Sequence, residues 1–216
     1  MKKRMRCLEL FSGTKSLSKV FENAGWECIS VDIDSSTNPT ICCSILEIAL
    51  DKWPPGYFQY IHASPPCSAW SIARTTGPPI DYEKESQISL HTVNLINHLR
   101  PLAYTIENPH TSRIWKLPWL DLPYVVASYC KYSNYGYRKD TRFATNLDWI
   151  PKRCKYDCMH VTRSSCGRLK HICTAQRGKA SSTDTTYKQK ELYRIPAALC
   201  LEILEAVLRK TATVGN

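Results

Sequence analysis

No run of about 18 apolar residues occurs in this 216-residue chain, which excludes a transmembrane helix. The opening MKKRMRCLELF has a basic start. Glu9 and Ser12 interrupt its apolar stretch and no small-residue cleavage site follows, so no secretory signal is expected and the segment reads as a short arm leading into a strand. No internal repeat is present. Acid is scarce relative to base, with 19 Asp and Glu against 29 Lys and Arg, a net charge of +10. The excess is local, because residues 151–216 hold 13 basic against 5 acidic side chains. Such a field concentrates polyanions, with nucleic acid the leading partner, an acidic membrane surface second and plain solubility the alternative. Apolar residues make up 43%, enough for a core and too many for wholesale disorder. At roughly 100–200 residues per domain the length allows one domain with a modest insertion. Eleven cysteines without a secretory signal point to thiols, a metal site or a nucleophile rather than a disulfide framework, and to an intracellular protein.

The periodicity of the first half is that of an α/β fold. Cys7 to Leu10 form an apolar run that ends at Phe11, Ser12 and Gly13, and a helical period follows through Leu17, Val20, Phe21 and Ala24. Cys28 to Val31 make a second strand ending at Asp32. Further strands are expected over Tyr57–Ala63 and Ala103–Ile106, with a helix over Glu83–Leu99 between them and a break at Asn108 and Pro109. Alternating strands and helices imply a mainly parallel sheet covered on both faces, with ligands beyond the carboxyl ends of its strands. The pattern divides the chain into residues 1–150, a basic Cys/His-rich insertion at 151–190, and a closing helix at 191–216 whose stripe through Ile195, Leu199, Ile203 and Val207 packs back on the first part.

Three turns carry candidate chemistry. At the first, Gly13 lets backbone approach a ligand, the helix N-terminus offers N–H groups, and Asp32 can hold ribose hydroxyls. The loop is not a full G-x-G-x-x-G, since Lys15 and Ser16 stand where glycines would, and an ordinary crossover is the alternative. At the second, HASPPCSAWS, Pro65 and Pro66 stiffen a loop that presents Cys67. A nucleophile there needs its thiolate, for which Arg74 or a helix N-terminus are candidate aids, while a buried inert thiol is the alternative. The third, TIENPH, brings Glu107 to the same sheet edge if the strands are neighbours, able to hydrogen-bond a ring nitrogen or supply a proton.

In this order the motifs resemble those of the DNA cytosine-5 methyltransferases over about residues 7–147 and 194–208. Phe11, Ser12 and Gly13 match the family's cofactor loop, Asp32 its ribose-binding acid, Pro66 and Cys67 its nucleophile loop, and Glu107 and Asn108 its Glu-Asn motif. YSNYGYRKDTRFATN looks like the arginine motif, about one residue short and without its glutamine, and RIPAALCLEIL like the last motif. The resemblance implies a Rossmann-like class I methyltransferase fold for residues 1–150, S-adenosylmethionine as cofactor, double-stranded DNA as partner, and neither a membrane nor an obligatory protein partner. It further implies Cys67, Glu107 and Arg142 as catalytic residues, with Arg142 on the base carbonyl and Arg138 a helper. Phe11, Ser12, Gly13, Asp32, Ser44 and Pro65 would hold the cofactor, Ser44 standing where the family usually has an aspartate. An RNA methyltransferase and a decayed, merely nucleic-acid-binding scaffold are the rival readings.

Within the insertion stand Cys154, Cys158, His160, Cys166, His171 and Cys173. Four of these could bind a structural zinc, with Cys154, Cys158, Cys166 and His171 the candidate set. Thiols on a basic loop are the alternative. Lys152, Arg153, Lys155, Arg163, Arg168, Lys170, Arg177 and Lys179 would neutralise phosphates, positioning a duplex without reading its sequence. The tryptophans Trp70, Trp115, Trp119 and Trp149 could stack on a base, with core packing the alternative for most of them.

Overall fold

The computed structural model describes residues 4–72, 79–173, 175, 178–179, 186–187 and 189–214. Its centre is a seven-stranded sheet made of β1 (Arg6–Leu10), β2 (Glu27–Asp32), β3 (Ile41–Cys42), β4 (Tyr60–Ala63), β5 (Ala103–Pro109), β6 (Tyr124–Ser128) and β7 (Asp140–Thr145). The strand order is β3-β2-β1-β4-β5-β7-β6. The first five strands pair in parallel, and β7 runs antiparallel to both β5 and β6. This is the mostly parallel, Rossmann-like α/β architecture expected. Leu10 is in register with Val31 on one side and Ala63 on the other, and Ala63 with Ile106, so the loops after β1, β2 and β4 and the end of β5 share one edge.

Side chains alternate between two apolar layers, as period-2 strands buried on both faces require. Cys7 and Tyr60 face one layer with α1 (Ser16–Asn23), while their neighbours Leu8 and Ile61 face the other with α2 (Tyr82–Leu99). Two helices close the chain, the short α3 (Gln189–Tyr193) and the long α4 (Ala197–Val214), and α4 inserts Leu199, Ile203 and Val207 beside Leu17, Phe21 and Trp149 of the first layer. Helix α2 starts where Asp81 accepts a hydrogen bond from the Lys84 N–H (3.0 Å), with Glu83 and Glu85 favouring its positive end. It stops at Arg100, in the left-handed region just before Pro101.

Two local expectations change. The strand expected from Tyr57 begins at Tyr60, because the Tyr57 N–H closes a turn on the Pro54 carbonyl (3.1 Å). Strand β5 does not break at Asn108. It runs on to Pro109 because β7 supplies an antiparallel partner, with Glu107 opposite Phe143, Asn108 opposite Arg142 and Pro109 opposite Thr141. Periodicity gave no sign of β6 and β7, whose pairing depends on residues far apart in sequence. Beyond residue 151 there are two small ribbons: β8 (Val161–Arg163) with β9 (Leu169–His171), and β10 (Gly178–Lys179) with β11 (Thr186–Tyr187). Among the described residues no helix is long and apolar enough to cross a membrane.

Candidate active site

A cleft of about 1170 Å³ opens at the shared carboxyl edge of β1, β2, β4 and β5. Its walls hold Phe11, Ser12 and Gly13, then Asp32 and Ser44, then Pro65 and Cys67, and finally Glu107. Of the nine residues expected to act on substrate or cofactor, it brings together all but Arg142.

The wall of this cleft nearest β1 and β2 is built on strained backbone. Phe11 (φ 57°), Gly13 (φ 43°) and Lys15 (φ 56°) all lie in the left-handed region, so the chain reverses sharply between β1 and α1. The Asp32 carboxylate holds the turn, accepting hydrogen bonds from the Gly13 N–H (2.7 Å) and the Asp34 N–H (2.8 Å). Ser12 Oγ is buried without a hydrogen-bond partner and lines the cleft. Ser44 caps a short 3-10 turn, its hydroxyl accepting from the Leu46 N–H (3.3 Å).

One expectation for this loop is corrected. The start of α1 was to offer N–H groups to a ligand, yet those of Leu17 and Ser18 donate to the Glu9 carboxylate at 3.2 and 2.8 Å. Glu9, on β1, is buried, and burial pushes its carboxyl above the usual range against the hydrogen bonds from Ser18 and Leu17. The acid between two leucines in LELF was the available signal. The closing segment meets the same loop, with the Ile195 N–H donating to Ser16 Oγ (3.2 Å) and Tyr193 and Ile195 on the cleft wall.

On the opposite side Cys67 follows the rigid Pro65–Pro66 pair. The loop is tied down at two points: Asn108 Nδ2 donates to the Pro65 carbonyl (2.8 Å), and the Arg113 N–H to the Trp70 carbonyl (2.9 Å). Glu107 and Asn108 both line the cleft, and Asn108 in addition fixes the cysteine loop. Beneath the loop runs a buried polar chain in which Tyr60 and His62 both bond Thr105 Oγ1 (2.6 and 2.7 Å) and His62 Nε2 bonds Ser64 Oγ (2.9 Å). Burial drops the His62 pKa to about 3, so the ring stays neutral and serves as a fixed hydrogen-bonding strut.

Electrostatics couple the two chemical groups. Burial pushes the Cys67 thiol up, the Glu107 carboxylate pushes it further, and the Lys139 ammonium opposes them. Glu107 is itself held by Tyr129, whose hydroxyl donates to Oε1 at 3.3 Å, and by Lys139, whose Nζ lies 3.9 Å from the same oxygen. The sulfur is therefore held toward its thiol form beside Glu107, an arrangement that sets a nucleophile next to a group able to exchange a proton. Arg74, a candidate aid to Cys67, lies outside the described residues.

Arg142 is the residue the structure moves. Directly opposite Asn108, it shares that residue's face of the sheet and packs its guanidinium over Tyr124 (3.7 Å) and Trp115 (4.4 Å), away from the cleft wall. The side chain that does reach the cleft from this motif is Lys139. Arg138 is taken by Asp140 at 2.6–3.0 Å. The motif is one residue short, and a one-residue change on a strand sends every side chain to the other face.

The tryptophans mostly serve packing. Trp70 and Trp149 are buried in the two apolar layers, and Trp115 Nε1 donates to the Pro109 carbonyl (2.9 Å). In the basic segment Lys152, Arg153, Lys155, Arg163, Arg168 and Lys170 are all exposed, while the side chains of Arg177 and Lys179 lie outside those described. Of the six candidate metal ligands, Cys154, Cys158 and His171 converge. Cys166 does not join them: it sits exposed at the β8–β9 turn, bonded to Ser164 Oγ (3.1 Å). His160 turns to the Ser133 carbonyl (2.9 Å), and Cys173 is buried at a bridge to Tyr137. The fourth member of the cluster is Cys130, from the turn after β6.

A family model for C-5 cytosine-specific DNA methylases matches residues 5–111. A protein of Frog virus 3 (isolate Goorha) named "Probable DNA (cytosine-5)-methyltransferase" is 33% identical over 219 residues, covering 93% of this chain and 99% of the viral one. Among solved structures, a DNMT2 mutant of Spodoptera frugiperda aligns over 70% of this chain and 56% of its own length, with a TM-score of 0.47 and 17% identity. The S. pombe Dnmt2 methyltransferase aligns over 66% and 50%, with a TM-score of 0.49 and 15% identity. The chain thus spans about half the length of those two solved proteins.

Proposed function

Because the chain belongs to the C-5 cytosine-specific DNA methylase family, we propose that it methylates carbon 5 of cytosine in DNA from S-adenosylmethionine, through a covalent bond to Cys67. The observation that carries this reading is the meeting of Cys67 and Glu107 on one cleft whose other wall is the Phe11–Gly13 turn and Asp32.

The cofactor side fits its ligand. Asp32 is oriented by two backbone N–H groups at the end of β2 to receive ribose hydroxyls, and Ser12 Oγ is a buried polar atom in want of a partner. Ser44 stands at the adenine end, and Pro65 closes the wall toward Cys67. When bound, S-adenosylmethionine supplies an electrophilic methyl group to the carbon 5 that addition of Cys67 has made nucleophilic.

The chain's own residues do the rest. The Cys67 thiol gives its proton to the Glu107 carboxylate, and Glu107 passes it to the ring nitrogen of a flipped-out cytosine, making carbon 6 electron-poor. The sulfur bonds carbon 6, the electron pair of the 5,6 double bond moving toward carbon 5. After methylation the carbon 5 proton leaves to water, its electron pair restores the double bond and expels the sulfur as thiolate, and the ring nitrogen returns its proton through Glu107. Lys139 takes the role expected of Arg142, neutralising the base carbonyl oxygen from beside Glu107. Tyr129 keeps Glu107 aimed at the ring. Flipping the base costs a few kcal/mol, offset by contacts in the cleft. The six exposed cations of residues 152–170 hold the duplex by its phosphates, and a DNA substrate puts the protein inside a cell.

Duplex DNA carrying 5-fluorocytosine at the target position tests this. Fluorine cannot leave carbon 5, so a covalent complex with Cys67 should accumulate when cofactor is present and vanish in Cys67→Ala. Methyl transfer without any trapped complex, or no transfer by folded protein across a library of duplexes, would remove the proposal.

A further inference from the structure

Away from the cleft, one sulfur or nitrogen atom from each of Cys130, Cys154, Cys158 and His171 lies within 4.8 Å of the other three. Cys130 and Cys154 are buried, Cys158 and His171 partly so. We propose that these four residues bind one zinc ion, and that the ion pins the basic segment to the β6 end of the catalytic sheet. The site is independent of the methyl-transfer reading.

The distances from His171 to two of the sulfurs fit a tetrahedral ion. Zinc bonds of about 2.3 Å to sulfur and 2.0–2.1 Å to nitrogen put sulfur and nitrogen roughly 3.5 Å apart across a tetrahedral ion. His171 Nε2 is 3.5 Å from Cys154 Sγ and 3.3 Å from Cys158 Sγ. Three sulfurs and an imidazole are a soft donor set that suits zinc and lacks the oxygens that calcium or magnesium require.

After Cys154 the chain turns back through Tyr156 at φ 61°, which brings Cys158 to the same point. The turn is fastened by Lys131, next to Cys130, which pairs with Asp157 at 3.1 Å. The Cys154 N–H donates to Ser128 Oγ (2.9 Å), which donates to Asp140 (2.6 Å), the carboxylate that also holds Arg138. The outer contacts therefore tie the ligands to β6 and β7.

The fold gives this ion two tasks. Between Pro151 and Cys173 too few apolar side chains are buried to hold the segment by packing, and a metal cross-link supplies what a core cannot. Cys130 also follows Tyr129 directly, and Tyr129 bonds Glu107, so the ligand nearest the sheet shares its turn with a residue that aims the catalytic carboxyl group.

The test uses the full chain purified with zinc present. Elemental analysis should find one zinc per chain, and replacement by cobalt(II) should give the intense sulfur-to-metal charge-transfer band and visible absorption of a tetrahedral thiolate site. Cys166→Ser should keep the metal, whereas Cys158→Ser and His171→Ala should each lose it. Both replaced ligands are only partly buried, and circular dichroism of the sheet would report any general misfolding. Chelation should make residues 151–173 newly sensitive to protease. Absence of metal from folded wild-type protein, a cobalt spectrum without thiolate bands, or loss of zinc in Cys166→Ser would overturn the proposal.

Discussion

Residues 4–150 bury Phe21, Tyr60, Leu95 and Phe143 completely or nearly so, in layers on both faces of the sheet, whereas from Pro151 to Cys173 only Pro151, Cys154, His160 and Cys173 are buried. The first region is stabilised by apolar area removed from water, which is non-directional and spread over many side chains. The second is held at points: sulfurs around His171, the Lys131–Asp157 pair, and hydrogen bonds such as His160 to the Ser133 carbonyl. The difference teaches that the region of dense packing fixes the geometry of the cleft, while the other keeps its cations in water, where the proposed function uses them to hold DNA.

The largest effect expected from breaking this division lies in the cleft. Glu107→Gln should lower methyl transfer by about 10²–10⁴-fold, the usual contribution of a positioned proton donor, while leaving binding of duplex DNA by the basic segment intact. The same variant has a signed effect on Cys67. Burial raises the thiol pKa most, and the Glu107 charge adds to it, so removing that charge should shift the midpoint of Cys67 alkylation to lower pH. Lys139→Met should shift it to higher pH, because the ammonium opposes the rise. Mass spectrometry of the Cys67 peptide across a pH series reads both, and a shift of either variant in the opposite sense would contradict the coupling.

Next comes Leu199→Ala, which opens a cavity where α4 packs beside Leu17 and Phe21. A loss of about 2–5 kcal/mol in urea unfolding is expected, felt across the sheet and sparing metal retention in the folded fraction. A destabilisation below about 1 kcal/mol would mean that α4 is not part of the same core.

The smallest effect concerns the exposed cations. Neutralising Arg168 and Lys170 together should reduce the slope of log affinity against log salt by about 0.9 for each DNA phosphate that is no longer neutralised. An unchanged slope in anisotropy titrations would move the DNA-binding face elsewhere.

How much of this was legible beforehand follows the same division. The β1–α1–β2 crossover, the order of the motifs and the meeting of Cys67 with Glu107 could be read because each is a local apolar period ending in a turn. The Glu9 cap was missed because an acid inside an apolar run shows its partner only once the helix has packed over it. Arg142 was expected at the base and stacks on Tyr124 and Trp115, a placement that follows from cross-strand pairing and not from motif order. Cys130 was passed over because it belongs to the sheet by sequence and meets Cys154, Cys158 and His171 only through the folding of the segment onto β6.

The sequence by itself determined the α/β architecture, the family, and the loops that carry Cys67 and Glu107, since periodicity, turn chemistry and motif order act over short stretches of chain. Only the tertiary structure decided which cation faces the cleft and which four side chains cluster. Those outcomes depend on the pairing of β5 with β7 and on contacts across some twenty to forty residues, where register rather than composition sets the direction of every side chain.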